Sequence, residues 1–87
     1  MVANSLNRMT CEICGARACH VHHVFMGTAN RKKSEYWGMV ANLCYDCHAL
    51  IHADYSARVA LCQKYQREFE QTHSRKLFMA EFGRNYL

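Results

Sequence analysis

The sequence predicts a small α+β domain: a two-stranded hairpin running into a short helix, followed by two C-terminal helices. Three observations predict it. Residues 11–52 alternate short β-branched or aromatic runs with turn signals, and residues 53–87 place apolar side chains at helical spacing. Two Cys-x2-Cys pairs bracket the first of these parts.

The chain of 87 residues makes one domain. A chain this short buries a modest core, so a staple is expected: disulfides, a metal or self-association. Six cysteines make the choice one between disulfides and a metal. Residues 1–10 hold no apolar run long enough for the core of an export signal, and no run in the chain is long enough to span a membrane. The expectation is a cytoplasmic protein with reduced thiols, and clustered reduced cysteines are metal ligands. The formal charge is +4. Four thiolates with one zinc add about −2, and a second divalent ion on neutral histidines restores about +2. A mildly basic protein suits a phosphate-rich partner.

Taken in order, residues 1–9 read as a polar, flexible tail. Cys11-Glu12-Ile13-Cys14-Gly15 reads as a knuckle, two ligands on a tight turn. Residues 19–25, bounded by Gly27, read as a strand, and residues 27–36 (GTANRKKSEY) as a polar, basic loop. Residues 37–43 read as a second strand and residues 46–53 as a short helix. Asp54 or Ser56 can cap the next helix, whose inner face is the Arg58 stem, Leu61, Cys62, Tyr65 and Phe69. A last helix starts at Ser74, buries Leu77, Phe78 and Phe82, and stops at Gly83. These two helices read as packing support, and Cys62 as a small core residue.

The strongest signal is Cys11-x2-Cys14 with Cys44-x2-Cys47. Two knuckles supply four soft ligands to one tetrahedral ion, and structural zinc is the expected occupant. The same sulfurs would suit iron in an electron carrier, but that role has no use for histidines. The second knuckle leads directly into a helix, as in a treble-clef finger. A second constellation is His22-His23 on the first strand with His48 and His52 on the helix, where i and i+4 share a face. Cys47 and His48 are adjacent, so the two constellations read as two sites.

His22-His23-Val24 followed by Leu43-Cys44-Tyr45-Asp46-Cys47-His48-Ala49-Leu50-Ile51-His52 resembles the HNH (ββα-metal) endonuclease superfamily, in particular small phage-encoded members with a four-cysteine zinc. The resemblance spans residues 11–52. It implies a DNA endonuclease acting in a bacterial host, with His23 as general base and His22, His48 and His52 as ligands of a catalytic divalent ion (Mg²⁺, Mn²⁺, Ni²⁺ or Zn²⁺). The implied products carry a 5′-phosphate and a 3′-hydroxyl. The superfamily's middle Asn orients the hairpin loop, and the candidates here are Asn42 and Asn30. His20, on the same strand face as His22, is a rival ligand, and a regular strand would point His22 and His23 to opposite faces.

Arg31-Lys32-Lys33 is the expected phosphate contact, positioning DNA without reading its sequence. Nothing in the residues separates a monomer from a homodimer. The alternative function is a non-catalytic zinc module that binds DNA or a protein. Cys19 and His73 have no part in either scheme.

Overall fold

In the computed structural model the structure describes residues 10–87, and the tail read over residues 1–9 lies outside them. The fold is α+β, as the sequence predicts. Its elements are β1 (His20–His23), α1 (Thr28–Trp37), β2 (Val40–Leu43), α2 (Tyr45–Ala53), α3 (Tyr55–Phe69) and α4 (Arg75–Phe82). Both strands are shorter than predicted. They pair antiparallel, His20 opposite Leu43 and His23 opposite Val40. Beyond the strand ends, the Cys19 N–H donates to the Leu43 carbonyl and the Val24 N–H to the Met39 carbonyl.

Residues 27–36 are not a loop. They form most of α1, which fills the connection between the two strands. Arg, Lys and Glu are good helix formers, but α1 has no apolar stripe to reveal it. Its ends are set by neighbours. Asn30 Nδ2 donates to the carbonyls of Met26 (2.9 Å) and Phe82 (3.3 Å). Trp37 Nε1 donates to Glu81 Oε1 at 2.9 Å, tying α1 to α4. Gly38, read as an interior strand residue, instead terminates α1 with φ 73°, a left-handed conformation that glycine adopts without a Cβ penalty. That is why β2 begins only at Val40.

The C-terminal half matches the sequence closely. Asp54, not Ser56, caps α3 by accepting from the Ala57 N–H. Leu61, Cys62, Tyr65 and Phe69 are buried along its inner face, and buried Gln66 joins them. Gln66 Nε2 donates to Glu70 Oε2 and Asn85 Oδ1, and its Oε1 accepts from the Tyr86 N–H, so a fully buried amide finds its partners. Ser74 caps α4 by accepting from the Leu77 N–H, and α4 ends at Gly83. Among the described residues no helix is long and apolar enough to cross a membrane.

The core is aromatic. Phe78 is fully buried, with ring centroids of Phe82 at 5.0 Å, Phe25 at 5.2 Å and Phe69 at 5.4 Å. It therefore joins the loop after β1 to α3 and α4. Phe78→Ala leaves a cavity that these rings cannot close. A loss of about 3–5 kcal/mol is expected in urea unfolding, a large share of a small domain's stability. A loss below about 1 kcal/mol would mean that the C-terminal helices do not support the core.

Candidate metal centres

The first centre is built by two turns and a strand end. At the first knuckle the Cys11 N–H donates to the Ala16 carbonyl (2.7 Å) and the Gly15 N–H to the Cys11 carbonyl (2.9 Å). Gly15 takes φ 82°, which closes a turn that a side chain would strain. Thr10 and Arg17 form a bridge behind it, and the Glu12 N–H donates to the Asn42 carbonyl of β2. The knuckle is thereby fastened to the hairpin. At the other end Cys44 is the N-cap of α2, its Sγ accepting from the Cys47 N–H.

Cys11, Cys14, Cys44 and Cys47 come together as a candidate metal site, with one sulfur each inside a 4.8 Å sphere of mutual distances. The Cys14 and Cys44 sulfurs are 3.7 Å apart and no disulfide forms. Sulfurs held about 2.3 Å from a tetrahedral zinc stand roughly 3.8 Å apart, so the spacing fits that ion. Burial opposes a Cys11 thiolate, but backbone donors at Cys14, Cys44 and Ile13 outweigh it and bring the thiol down to about 6. A hydrogen bond to Cys44 and then burial push Cys47 the other way. Four crowded sulfurs cannot all ionise without a cation, and a divalent ion removes that conflict.

The second centre sits on the same scaffold. His22 of β1 lies opposite Ala41 of β2, and this small partner leaves the imidazole room to turn toward α2. His48 and His52 project from one face of α2, with ring centroids 4.8 Å apart. The His22 ring lies 5.2 Å from His48 and 5.5 Å from His52. Together they form a second candidate metal site. The Nε2 atoms of His48 and His52 are 3.2 Å apart. Nitrogens about 2.0–2.1 Å from a tetrahedral ion stand roughly 3.4 Å apart, so the pair fits a shared ion. His22 Nε2 is buried and has no hydrogen-bond partner among the described residues, an arrangement that a metal would satisfy.

His20 is not in this set. Its Nδ1 lies 3.0 Å from His48 Nδ1, on the side of that ring away from His52. It fits an outer partner that orients His48 better than a ligand.

His22 and His23 leave β1 on opposite faces, yet both line one cavity of about 490 Å³ with Met26, Arg31, His48 and His52. His23 closes the strand, and the chain turns there. Its Nε2 lies 2.8 Å from Glu35 Oε2 of α1. A carboxylate only accepts, so Nε2 donates, which in the neutral imidazole leaves the Nδ1 lone pair free. Glu35 was invisible in the sequence because it lay in what read as a loop.

Of the two Asn candidates, Asn30 staples the turn after β1 through the Met26 carbonyl. Asn42 lies across from Val21 and so on the opposite face of the hairpin from His22. Of the three basic residues, Arg31 lines the cavity, Lys32 is exposed and Lys33 is half-buried. As consecutive residues of α1, their side chains fan out at about 100° intervals around the helix. Cys19 is exposed and lies in neither centre, while Cys62 is buried in the core. His73 packs edge-to-face with Trp37 and tilted against Phe69.

Burial, then the neighbouring His48, His52 and His23, lowers His22 from its ordinary 6.5 to about 4. In the unfolded chain the same imidazole protonates near 6.5, so between these values the unfolded state binds more protons. With no ion on the histidines, stability should fall as pH drops from about 6.5 toward about 4 and be unaffected by this group above that window. Urea midpoints across this range test it. A His22→Gln variant with the same acid sensitivity would assign the loss to other groups.

Comparison with family models, curated proteins and solved structures finds no match to this chain.

Proposed function

We propose that the chain is a metal-dependent DNA endonuclease of the HNH kind, stapled by a structural zinc. The observation that supports it most is a division of labour among neighbouring histidines. His22, His48 and His52 bring ring nitrogens within reach of one ion, while His23 stands in the same cavity and is held by a carboxylate instead.

The donor set fits a divalent ion, and three imidazoles suit a transition metal better than Mg²⁺, which prefers oxygen. Bound there by His22, His48 and His52, such an ion supplies Lewis-acid charge at a phosphodiester. His23 Nδ1, oriented through the Nε2 bond to Glu35, takes the proton from an attacking water. Arg31 on the cavity wall pairs with phosphate oxygens. Asn30 fixes the Met26 turn, which forms another side of the cavity. The charged contact the cavity offers is Arg31, and phosphate contacts position DNA without reading its sequence, so cleavage with little sequence preference is expected.

Plasmid nicking tests the reading. Zinc-loaded protein is expected to nick supercoiled DNA when Mn²⁺ or Ni²⁺ is added, and more slowly with Mg²⁺. A folded protein with one zinc per chain that binds DNA and cuts with none of these ions would instead be a non-catalytic zinc module.

A further inference from the structure

A second cavity, of about 390 Å³, adjoins the histidine cavity, and Met26 lines both. Apart from Met26 and Asn30, its walls come from the C-terminal half of the chain, which the metal centres leave without a role beyond support. Two arginine–tyrosine pairs line it. The Arg58 guanidinium lies 5.4 Å from the Tyr55 ring centroid, and that of Arg84 lies 4.5 Å from the Tyr86 centroid. Arg58 Nη1 donates to the carbonyls of Ile51 and His52, so this arginine is fastened to the end of the helix that carries His48 and His52. Tyr86 is held from behind, its N–H on Gln66 and its carbonyl on Gln63. Tyr55 and Arg84 are exposed.

We infer that this cavity binds one unpaired nucleotide of the DNA strand, next to the phosphate presented to the histidines. The inference rests on the nuclease reading for the strand's identity. Its chemistry is independent of it. Aromatic rings and guanidinium planes are the surfaces on which unstacked bases lie, and guanidinium N–H groups pair with phosphate. A cavity of this size admits one such ligand group. A base inside a duplex is stacked between its neighbours and cannot enter a concave site. The preferred substrate is therefore a strand with an unpaired nucleotide beside the cleavage point, such as an overhang, flap or branch.

Zinc-loaded protein, with no other divalent ion added, is titrated into a duplex whose short single-stranded overhang carries 2-aminopurine, and into the blunt duplex. The overhang should bind about tenfold tighter, with quenching of the 2-aminopurine as it stacks. Tyr55→Ala and Arg84→Ala, both exposed and outside the metal centres, should each remove most of the quench and about tenfold of the overhang affinity while leaving blunt-duplex affinity unchanged. Equal affinity for the two forms would overturn the inference, as would quenching that survives both substitutions. Quenching that depends on Tyr55 and Arg84 in a protein that cuts nothing would uphold the pocket and sink the nuclease reading.

Discussion

Cys44→Ser is expected to abolish both zinc binding and cooperative folding, the largest effect of any single change in this chain. Serine can replace cysteine as the N-cap of α2, since its hydroxyl can accept from the Cys47 N–H as the sulfur does. What it removes is one of four sulfurs. Structural zinc in small domains contributes roughly 10–16 kcal/mol of binding free energy, and a domain this size has a net stability of roughly 5–15 kcal/mol. The variant should show no cooperative thermal transition and no bound zinc by elemental analysis. Cys19→Ser is the control: it is exposed and outside both clusters, so it should fold and hold zinc as wild type. A Cys44→Ser protein that melts cooperatively near the wild-type temperature would show that the cysteines do not staple the fold.

His23→Ala is expected to lower the DNA cleavage rate by about 10²- to 10⁴-fold while leaving the fold and both metals in place. The side chain is partly exposed at the end of β1 and, among the described residues, its hydrogen bond is to exposed Glu35, so little packing is lost. His22, His48 and His52 keep their positions. Glu35→Gln should fall between wild type and His23→Ala, because the amide oxygen can still accept from Nε2 but brings no charge to hold the imidazole once it has taken a proton. Cleavage rates set against zinc content separate these outcomes from misfolding. Cleavage undiminished in His23→Ala would remove this residue as the base.

Much of the fold and of both centres was legible in the residues, because their signals are local. Cys-x2-Cys is a turn, His48 and His52 are one helical turn apart, and the α3 face repeats at helical spacing. The elements that were missed depend on distant partners. Helix α1 is held by Asn30 reaching Phe82 and by Trp37 reaching Glu81, contacts between residues more than forty positions apart that no periodicity reports. With α1 unseen, Glu35 beside His23 was unseen too, and Arg31, Lys32 and Lys33 read as residues of a loop. The opposing faces of His22 and His23 raised a difficulty that the structure resolves, since the turn after His23 brings both to one cavity.

Cys47 and His48 are consecutive residues of α2, so the two centres share a peptide bond. The sulfur centre offers four thiolates and ties the first knuckle to the hairpin and the helix, whereas the histidine centre offers three imidazoles beside a cavity. A chelator added gradually would strip the three-imidazole centre before the four-thiolate one and, on the nuclease reading, leave a folded protein that no longer cuts; only later would the fold go. In a cell, the two ions would then limit different things. Scarce zinc would reduce how many folded molecules exist, and scarcity of the second ion would, on the nuclease reading, reduce how fast each one cuts.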